Sequence, residues 1–421
     1  MSIALIPNTS SWSNYLNLSK LLIKKKEKVI FIITNEHVKK LKKKLPKQVT
    51  VIDIIEPNKN LLLELNSFKI FYYFFYFLAY LKIYLKSLYY FQILNIEKII
   101  TVGDRENGTI LSILKIAKKN KIKIFIYHAG GMASKNMLVL SRLKFEIFDV
   151  TLDKNFIHKF KNQCNKHTNK KTYAFYHPVL TKIFNFFDIL PSNPWVMGSG
   201  NSDIVLVESN FVKNLYLKSN LKKELLVIGS CQIDNINESF KQKNFFKTRL
   251  NINSKKKNPI NIGFTPNVWF EHNLLSKDEA YKRNDLLCKI LKDSADKNKA
   301  NVLVFLHPKQ KIKNYQWIEQ KYRFKIYKKN ISYFISNLDY LFIGFSSTII
   351  YWASDLGIKV LVANFFKEKN SVFKNFKNVR YFDSIPSIKK NLENLKKNKK
   401  KTNIYEDLNF KKNIISLIIN K

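Results

Sequence analysis

Short runs of aliphatic and β-branched residues recur along the chain, each followed by a longer stretch with helical spacing. This alternation constrains the fold more than any other feature. Ile3–Ile6, Val29–Ile33, Val51–Ile55, Ile99–Val102, Ile122–Tyr127, Ile204–Glu208 and Leu225–Ile228 read as strands, and Trp12–Lys26, Leu61–Ile93 and Thr109–Asn120 as helices between them. Several of these runs are apolar throughout rather than alternating with polar residues. Such strands are buried on both faces, which is the signature of parallel βαβ units. The segment 241–258 is mostly polar and carries Lys255-Lys256-Lys257, and after it the rhythm restarts. Pro259–Phe264, Asn301–Leu306, Tyr340–Ile343 and Ile358–Ala363 read as strands, with helices at Lys282–Lys299, Thr348–Leu356 and Asn409–Ile419, and Lys389–Lys401 as a helix or solvated loop. The expectation is an α/β protein of two Rossmann-like α/β/α domains, residues 1–240 and 259–421, joined by a linker at 241–258 and facing a central cleft.

With 421 residues, 46% apolar and 14% aromatic, the chain has ample material for a core and is not globally disordered. Its formal net charge of +43 suggests a polyanion partner, but the makeup of that charge argues otherwise. Arg105, Arg142, Arg249, Arg283, Arg323 and Arg380 are the only arginines among the 74 basic residues; the rest are lysines. Readers of bases and phosphates favour the planar guanidinium fork. Abundant Lys, Asn, Ile, Phe and Tyr with scarce Gly is the mixture that A- and T-rich codons specify. The lysines therefore read mainly as solvated surface with no specific nucleic-acid partner, and an anionic membrane surface is the partner class left open. A basic polyanion-binding protein is the non-enzymatic alternative. Cys164, Cys231 and Cys288 are too few and too widely spaced for a disulfide framework or zinc cluster, which suits a reducing, cytoplasmic setting. The opening residues Met1–Pro7 do not read as a secretory signal. The uncharged run Ile70–Leu81 is shorter than the ~20 residues a spanning helix needs. Lys69 and Lys82 bracket it and Lys86 follows. It reads either as a core helix or as one whose aromatic face lies in a membrane interface, which would make the chain peripheral on the inner face of the cell membrane.

There are only ten glycines, so their positions are informative. Gly103, Gly130, Gly131, Gly229, Gly263 and Gly344 stand at or near the carboxyl ends of expected strands, the edge where open parallel sheets bind ligands. Four polar constellations accompany them. Gly344-Phe-Ser346-Ser347-Thr348 leads from a strand into a helix, with Ser346 or Ser347 as N-cap and the freed N–H groups suited to a phosphate. Val302–Leu306 delivers His307-Pro308-Lys309, where an imidazole can donate to a phosphate oxygen. The other His-Pro pair, His177-Pro178, reads as structural. Gly103-Asp104-Arg105-Glu106-Asn107-Gly108 precedes a helix starting near Thr109; either Asp or Asn caps that helix, or Asp104 or Glu106 orients a substrate hydroxyl or a catalytic histidine. His128, ahead of Gly130-Gly131, ends a strong strand and is either a structural histidine or a general base. The phosphate-loop, dinucleotide-fingerprint, His-Glu-x-x-His, Asp-x-Asp and nucleophile-elbow patterns are all absent.

In this order on two α/β domains, the constellations resemble the two-domain glycosyltransferases of the GT-B type. His307-Pro308 followed by Ser346-Ser347 resembles the nucleotide-phosphate site of bacterial sialyltransferases, capsule transferases and CDP-glycerol glycerophosphotransferases. His128 before Gly130-Gly131 resembles the His-Gly loop of the last group, where that histidine is a proposed base. The segment Val227–Asp234, with Gly229, looks like the one that closes the first domain in such proteins. The chain also resembles UDP-N-acetylglucosamine 2-epimerases through Gly103-Asp104 and the small-residue turn at Ser346-Ser347. It departs from them in Ala129 after His128, and in Tyr351 and Trp352 where two glutamates stand. A ribose-binding glutamate is missing from the same helix, with Asp355 as a substitute. The resemblance implies a donor site of Gly263, Thr265, Pro266, His307, Pro308, Gly344, Ser346, Ser347 and Thr348. On the acceptor side it implies His128 as base, Asp104 orienting it, and Glu106, Gly130 and Gly131 nearby. It implies a nucleotide-sugar or polyol-phosphate donor as co-substrate, no other cofactor, no metal, and a glycan or lipid-linked acceptor for a surface polysaccharide. A 2-epimerase is the enzymatic alternative.

Overall fold

Fifteen short strands are present in the described residues, and those of the two large sheets run parallel to every neighbour. The structure is a computed structural model. It describes residues 1–9, 11–56, 69–105, 107–127, 138–139, 142, 145–166, 170–250, 259–271, 275–307, 309–327, 329–344, 347–365, 373, 376–398 and 401–420. The chain divides into two units, Met1–Ser230 with Phe410–Lys421, and Cys231–Asn409.

The first unit contains β1 (Ser2–Ile6), β2 (Lys28–Ile33), β3 (Thr50–Asp53), β4 (Lys98–Thr101), β5 (Lys123–Tyr127), the antiparallel pair β6 (Cys164–Lys166) and β7 (Thr172–Ala174), then β8 (Ile204–Val207) and β9 (Glu224–Val227). Its large sheet has the order β3-β2-β1-β4-β5-β8-β9. β1, β4 and β8 are buried along their whole length, as runs without an exposed face require. The second unit carries β10 (Asn261–Thr265), β11 (Asn301–Phe305), β12 (Lys325–Tyr327), β13 (Tyr340–Ile343), β14 (Lys359–Ala363) and β15 (Val379–Phe382), in the order β12-β11-β10-β13-β14-β15. Renumbered within the unit this is 3-2-1-4-5-6, the Rossmann order, and the first sheet has the same order with one more strand. The strand order reverses between β1 and β4 in one sheet and between β10 and β13 in the other. Each unit is thus Rossmann-like, as expected.

The helix Lys69–Leu94 packs on the first sheet through Tyr76, Tyr80, Ile83, Ser87 and Phe91, a stripe with spacings of three and four residues. Tyr80 lies where a Cβ on Gly108 would stand, only 2.3 Å from its ring, so glycine there lets the helix seat against the start of helix Gly108–Lys119. Asn107 caps that second helix, its side chain accepting from the Ile110 N–H at 2.8 Å. The capping alternative for the Asp104–Asn107 segment therefore falls to Asn107.

The boundaries differ from the sequence expectation in two places. The closing helix, Phe410–Asn420, belongs to the first unit rather than the second. The Phe410 ring stacks on Tyr127 at 5.0 Å, the backbone and Cβ of Phe410 lie beside Gly229, and buried Lys98 donates to the Ile418 carbonyl. An apolar helix face has to find an apolar partner, and sequence order does not say which sheet provides it. The expected linker begins with helix: Cys231–Lys241 is followed by Lys243–Arg249, whose Phe246 is buried against Phe334. The rest of the expected linker, 251–258, lies outside the described residues, as do residues 57–68 at the start of the expected Leu61–Ile93 helix. Lys389–Lys401 is not one helix; Ser384 caps Ile385–Leu392, and irregular chain follows.

His177 is structural, as expected. It is the N-cap of helix Pro178–Phe186, its Nδ1 accepting from the Val179 N–H at 3.2 Å, and burial holds its pKa below 6.5. A depressed histidine pKa stabilises the fold above the unfolded value, and that stability is lost as pH falls through the folded value. Thermal stability should therefore fall as pH drops below about 6.5, and His177→Asn, which keeps a capping side chain, should flatten that part of the profile. Melting temperatures of both proteins between neutral and mildly acidic pH check this; parallel profiles would refute it.

Candidate functional site

Each strand of the second sheet releases its chain at the carboxyl edge, and three of these releases converge. Thr265, Pro266 and Asn267 leave β10, Leu306 and His307 leave β11, and Ser347, Thr348 and Ile349 follow β13. Together with Gln232, Asn330 and Trp352 they line one cavity of about 240 Å³. It lies at the point where the strand order reverses, the place where sheets of this order form a ligand crevice. Thr265, Pro266, His307, Ser347 and Thr348, all expected from sequence to serve a donor, are brought together here. Pro308 and Ser346 lie outside the described residues.

Two of the expected glycines do something else. Gly263 is buried inside β10, and a Cβ there would stand 2.6 Å from Leu338, so it serves strand packing rather than the cavity. At Gly344 a Cβ would stand 2.5 Å from Asn267 Nδ2, so this glycine makes room for a cavity residue. The expected serine N-cap does not form at Ser347. The helix is Ile349–Asp355, Thr348 stands at its cap position, and no side chain caps it. Asp355 does not line the cavity; it accepts from the Tyr405 hydroxyl at 2.8 Å, and burial raises its pKa. Tyr351 is buried in the core while its neighbour Trp352 faces the cavity.

The loops after β10 and β11 are tied together by Gln310, a buried residue that the motif reading missed. Its Oε1 accepts from the His307 N–H at 2.8 Å. Its Nε2 donates to the carbonyls of Pro266 and Asn267 at 3.1 and 3.2 Å and to the Tyr315 hydroxyl at 2.8 Å. Tyr315 in turn donates to Glu271 at 2.9 Å; burial foremost, and then that carboxylate, raise its pKa. Asn284 supports the same turn by accepting from the Asn267 N–H at 3.0 Å. The only available signal was position: Gln310 stands one turn beyond His307. The His307 ring accepts from the Lys309 N–H at Nδ1, 3.2 Å, so a neutral imidazole carries its proton on Nε2.

Four polar atoms of cavity-lining residues are buried with no hydrogen-bond partner: Gln232 Oε1, Thr265 Oγ1, Asn267 Nδ2 and Trp352 Nε1. Leaving a buried polar group unmade costs roughly 1–3 kcal/mol.

The first unit presents a different picture. Asp104 follows β4, and its carboxylate is fully buried. Oδ1 accepts from the Gly198 N–H at 2.9 Å, and Oδ2 accepts from the Gly200 N–H and the Ser202 hydroxyl, both at 2.8 Å. A Cβ on Gly200 would stand 2.5 Å from the Asp104 carbonyl, so only glycine permits this approach. Arg105 extends the clamp by donating to the Pro194 carbonyl at 3.0 Å. Asp104 thus acts as a loop anchor. β4 and β5, the strands that end before Asp104 and His128, are neighbours. His128, Gly130, Gly131 and Glu106 themselves lie outside the described residues.

No family model matches the chain. No curated protein matches it either. Solved structures similar to it include a UDP-GlcNAc 2-epimerase of Methanocaldococcus jannaschii in complex with UDP-GlcNAc and UDP, at 12% identity, all of both chains covered and a TM-score of 0.48. The wall teichoic acid polymerase TagF with CDPG shares 13% identity over 94% of this chain and 78% of its own, with a TM-score of 0.47. A glycosyltransferase of Rickettsia africae shares 12% over 93% and 87%, with a TM-score of 0.45.

Two expectations test the anchors. Asp104→Ala strands three buried donors and should lower unfolding free energy by about 3–5 kcal/mol, read as a drop in the urea midpoint; an unchanged midpoint would remove the anchor role. Gln310→Ala should cost roughly 1–3 kcal/mol by the same measurement, since it releases two loops from each other.

Proposed function

We propose that the chain is a transferase that moves a sugar, or a polyol phosphate, from a nucleotide-activated donor to an acceptor hydroxyl in the synthesis of a surface glycan. The observation that carries this reading is the convergence of Thr265, Pro266, His307, Ser347 and Thr348 on one cavity at the switch point of a Rossmann-ordered sheet, with four unpartnered polar atoms around it. His307, with its proton on Nε2, donates to a phosphate oxygen, and the hydroxyls of Ser347 and Thr348 do the same. Charge grows on that phosphate as the bond to the transferred group breaks, so donors already held in place lower the barrier. On the acceptor side, His128 takes the proton of the attacking hydroxyl. The step requires no metal. The acceptor is glycan or lipid-linked, and the chain works in the cytoplasm at the inner face of the membrane.

A panel of CMP-, CDP-, UDP- and GDP-linked donors tests the reading. One class should raise the melting temperature and release nucleotide when an acceptor is present. His307→Ala should weaken that donor's binding by about tenfold, the worth of one hydrogen bond to a charged group. Isothermal titration of both proteins measures it. Absence of stabilisation by every donor would overturn the proposal, and conversion of UDP-N-acetylglucosamine without any acceptor would replace it with the epimerase.

A further inference from the structure

The Lys69–Leu94 helix has a second face that the first sheet does not cover. Opposite the buried stripe, Phe74, Leu85, Tyr89 and Ile93 are 62%, 57%, 58% and 55% exposed, and Phe75 and Leu78 stand with them. Their spacing of three, four, seven and eight residues places them on one side of the helix. The patch continues onto the neighbouring helix, where Phe186 is 70% exposed and meets Phe77 edge-to-face at 5.4 Å. A helix of 26 residues runs about 39 Å, so this is a long strip and not a scatter of single side chains, which would need no explanation. A helix apolar on all sides is normally buried on all sides; this one is not.

Charge selects the occupant. Residues 69–94 contain no Asp or Glu, and Lys82 and Lys86 are exposed among the apolar side chains. The groove beside the helix adds Lys39, while its single acid, Asp53, is paired with Lys42 at 3.3 Å. Lys86 reaches the Asp53 carbonyl at 2.6 Å and lies over the Tyr90 ring. A second copy docked on this face by two-fold symmetry would bury Lys82 and Lys86 against the same acid-free helix face, where unpaired charge is costly. An anionic bilayer receives the same groups favourably. Aromatic and aliphatic side chains enter the acyl boundary, and flexible lysines reach the headgroups. No helix among the described residues is long and apolar enough to cross a membrane, so the helix would lie along the surface.

We propose that the outward face of the Lys69–Leu94 helix, from Phe74 to Ile93 and including Phe186, is a docking surface for an anionic lipid bilayer. It names the place of membrane contact within the proposed function and therefore rests on the location in that reading, but its test is separate from donor binding.

The test is vesicle flotation with the full chain, using vesicles of phosphatidylcholine alone or mixed with phosphatidylglycerol. The wild-type protein should float with the anionic vesicles, about tenfold more strongly than with neutral ones, and less so as salt rises. Leu78→Asp/Leu85→Asp, both exposed positions, should abolish flotation at an unchanged melting temperature, and Lys82→Gln should weaken it on anionic vesicles only. Retained flotation of the double aspartate variant, or no flotation of the wild type on anionic vesicles, would overturn the proposal. So would a wild-type dimer that the double variant dissociates in the absence of lipid, which would assign the face to a second copy. Donor binding, titrated in the same preparations, is expected to be equal in all variants. Its loss from every protein, wild type included, would indict the transferase reading and leave the lipid result standing.

Discussion

The constraint on which the structure depends is that its central strands have no face to give to water. β1, β4, β8 and β13 are buried throughout, so each must be covered on both sides. With a polar crossover between successive strands, only a parallel sheet flanked by helices achieves this. Parallel crossovers send every strand the same way, so one edge of each sheet collects all the chain exits that follow a strand. Where the order reverses between β10 and β13, the exits on either side diverge and leave the cavity bounded by Thr265, His307 and Ser347. The chemistry available there follows from the backbone path before any side chain is considered.

This is why so much of the site was legible in sequence. Thr265, His307 and Ser347 each stand at or within four residues of the end of a run whose strand character was plain, and strand ends are where parallel sheets expose function. What was not legible depends on partners far away in the chain. An acid after a strand looks the same whether it orients a substrate or anchors a loop; the difference at Asp104 lies in Gly198, Gly200 and Ser202, nearly a hundred residues later. The same holds for the closing helix, whose apolar face fits either sheet until Phe410 is seen against Tyr127. β12 and β15 escaped because they are short and carry Lys325 and Arg380, as edge strands do, and so lack an apolar run.

The charge of the chain separates into background and placement. Its surface ion pairs are mostly exposed and contribute little each, and with six arginines among 74 basic residues the composition offers few forked readers of phosphate. Lysine density alone therefore distinguishes no region. What distinguishes Lys82 and Lys86 is that they interrupt exposed aromatic and aliphatic residues on a helix without acids, and only that combination makes a charge informative.

The polar groups at the end of β4 and those at the ends of β10, β11 and β13 are satisfied to different degrees. At the end of β4 the buried carboxylate of Asp104 accepts three donors from the protein's own loop, so its hydrogen bonds are spent on the fold. At the ends of β10, β11 and β13 the accounting does not close. Gln310 is saturated, holding the turn at Pro266 and Asn267 to His307, while the side chains it positions toward the cavity include Asn267 with an unpartnered amide, beside Thr265, Gln232 and Trp352 in the same state. A fold selected for stability alone would fill or satisfy these atoms, since each costs as much as a good hydrogen bond contributes. Rigid support beneath a cavity is the arrangement expected where a ligand is held, and Gln310 provides it at the carboxyl edge of the second sheet.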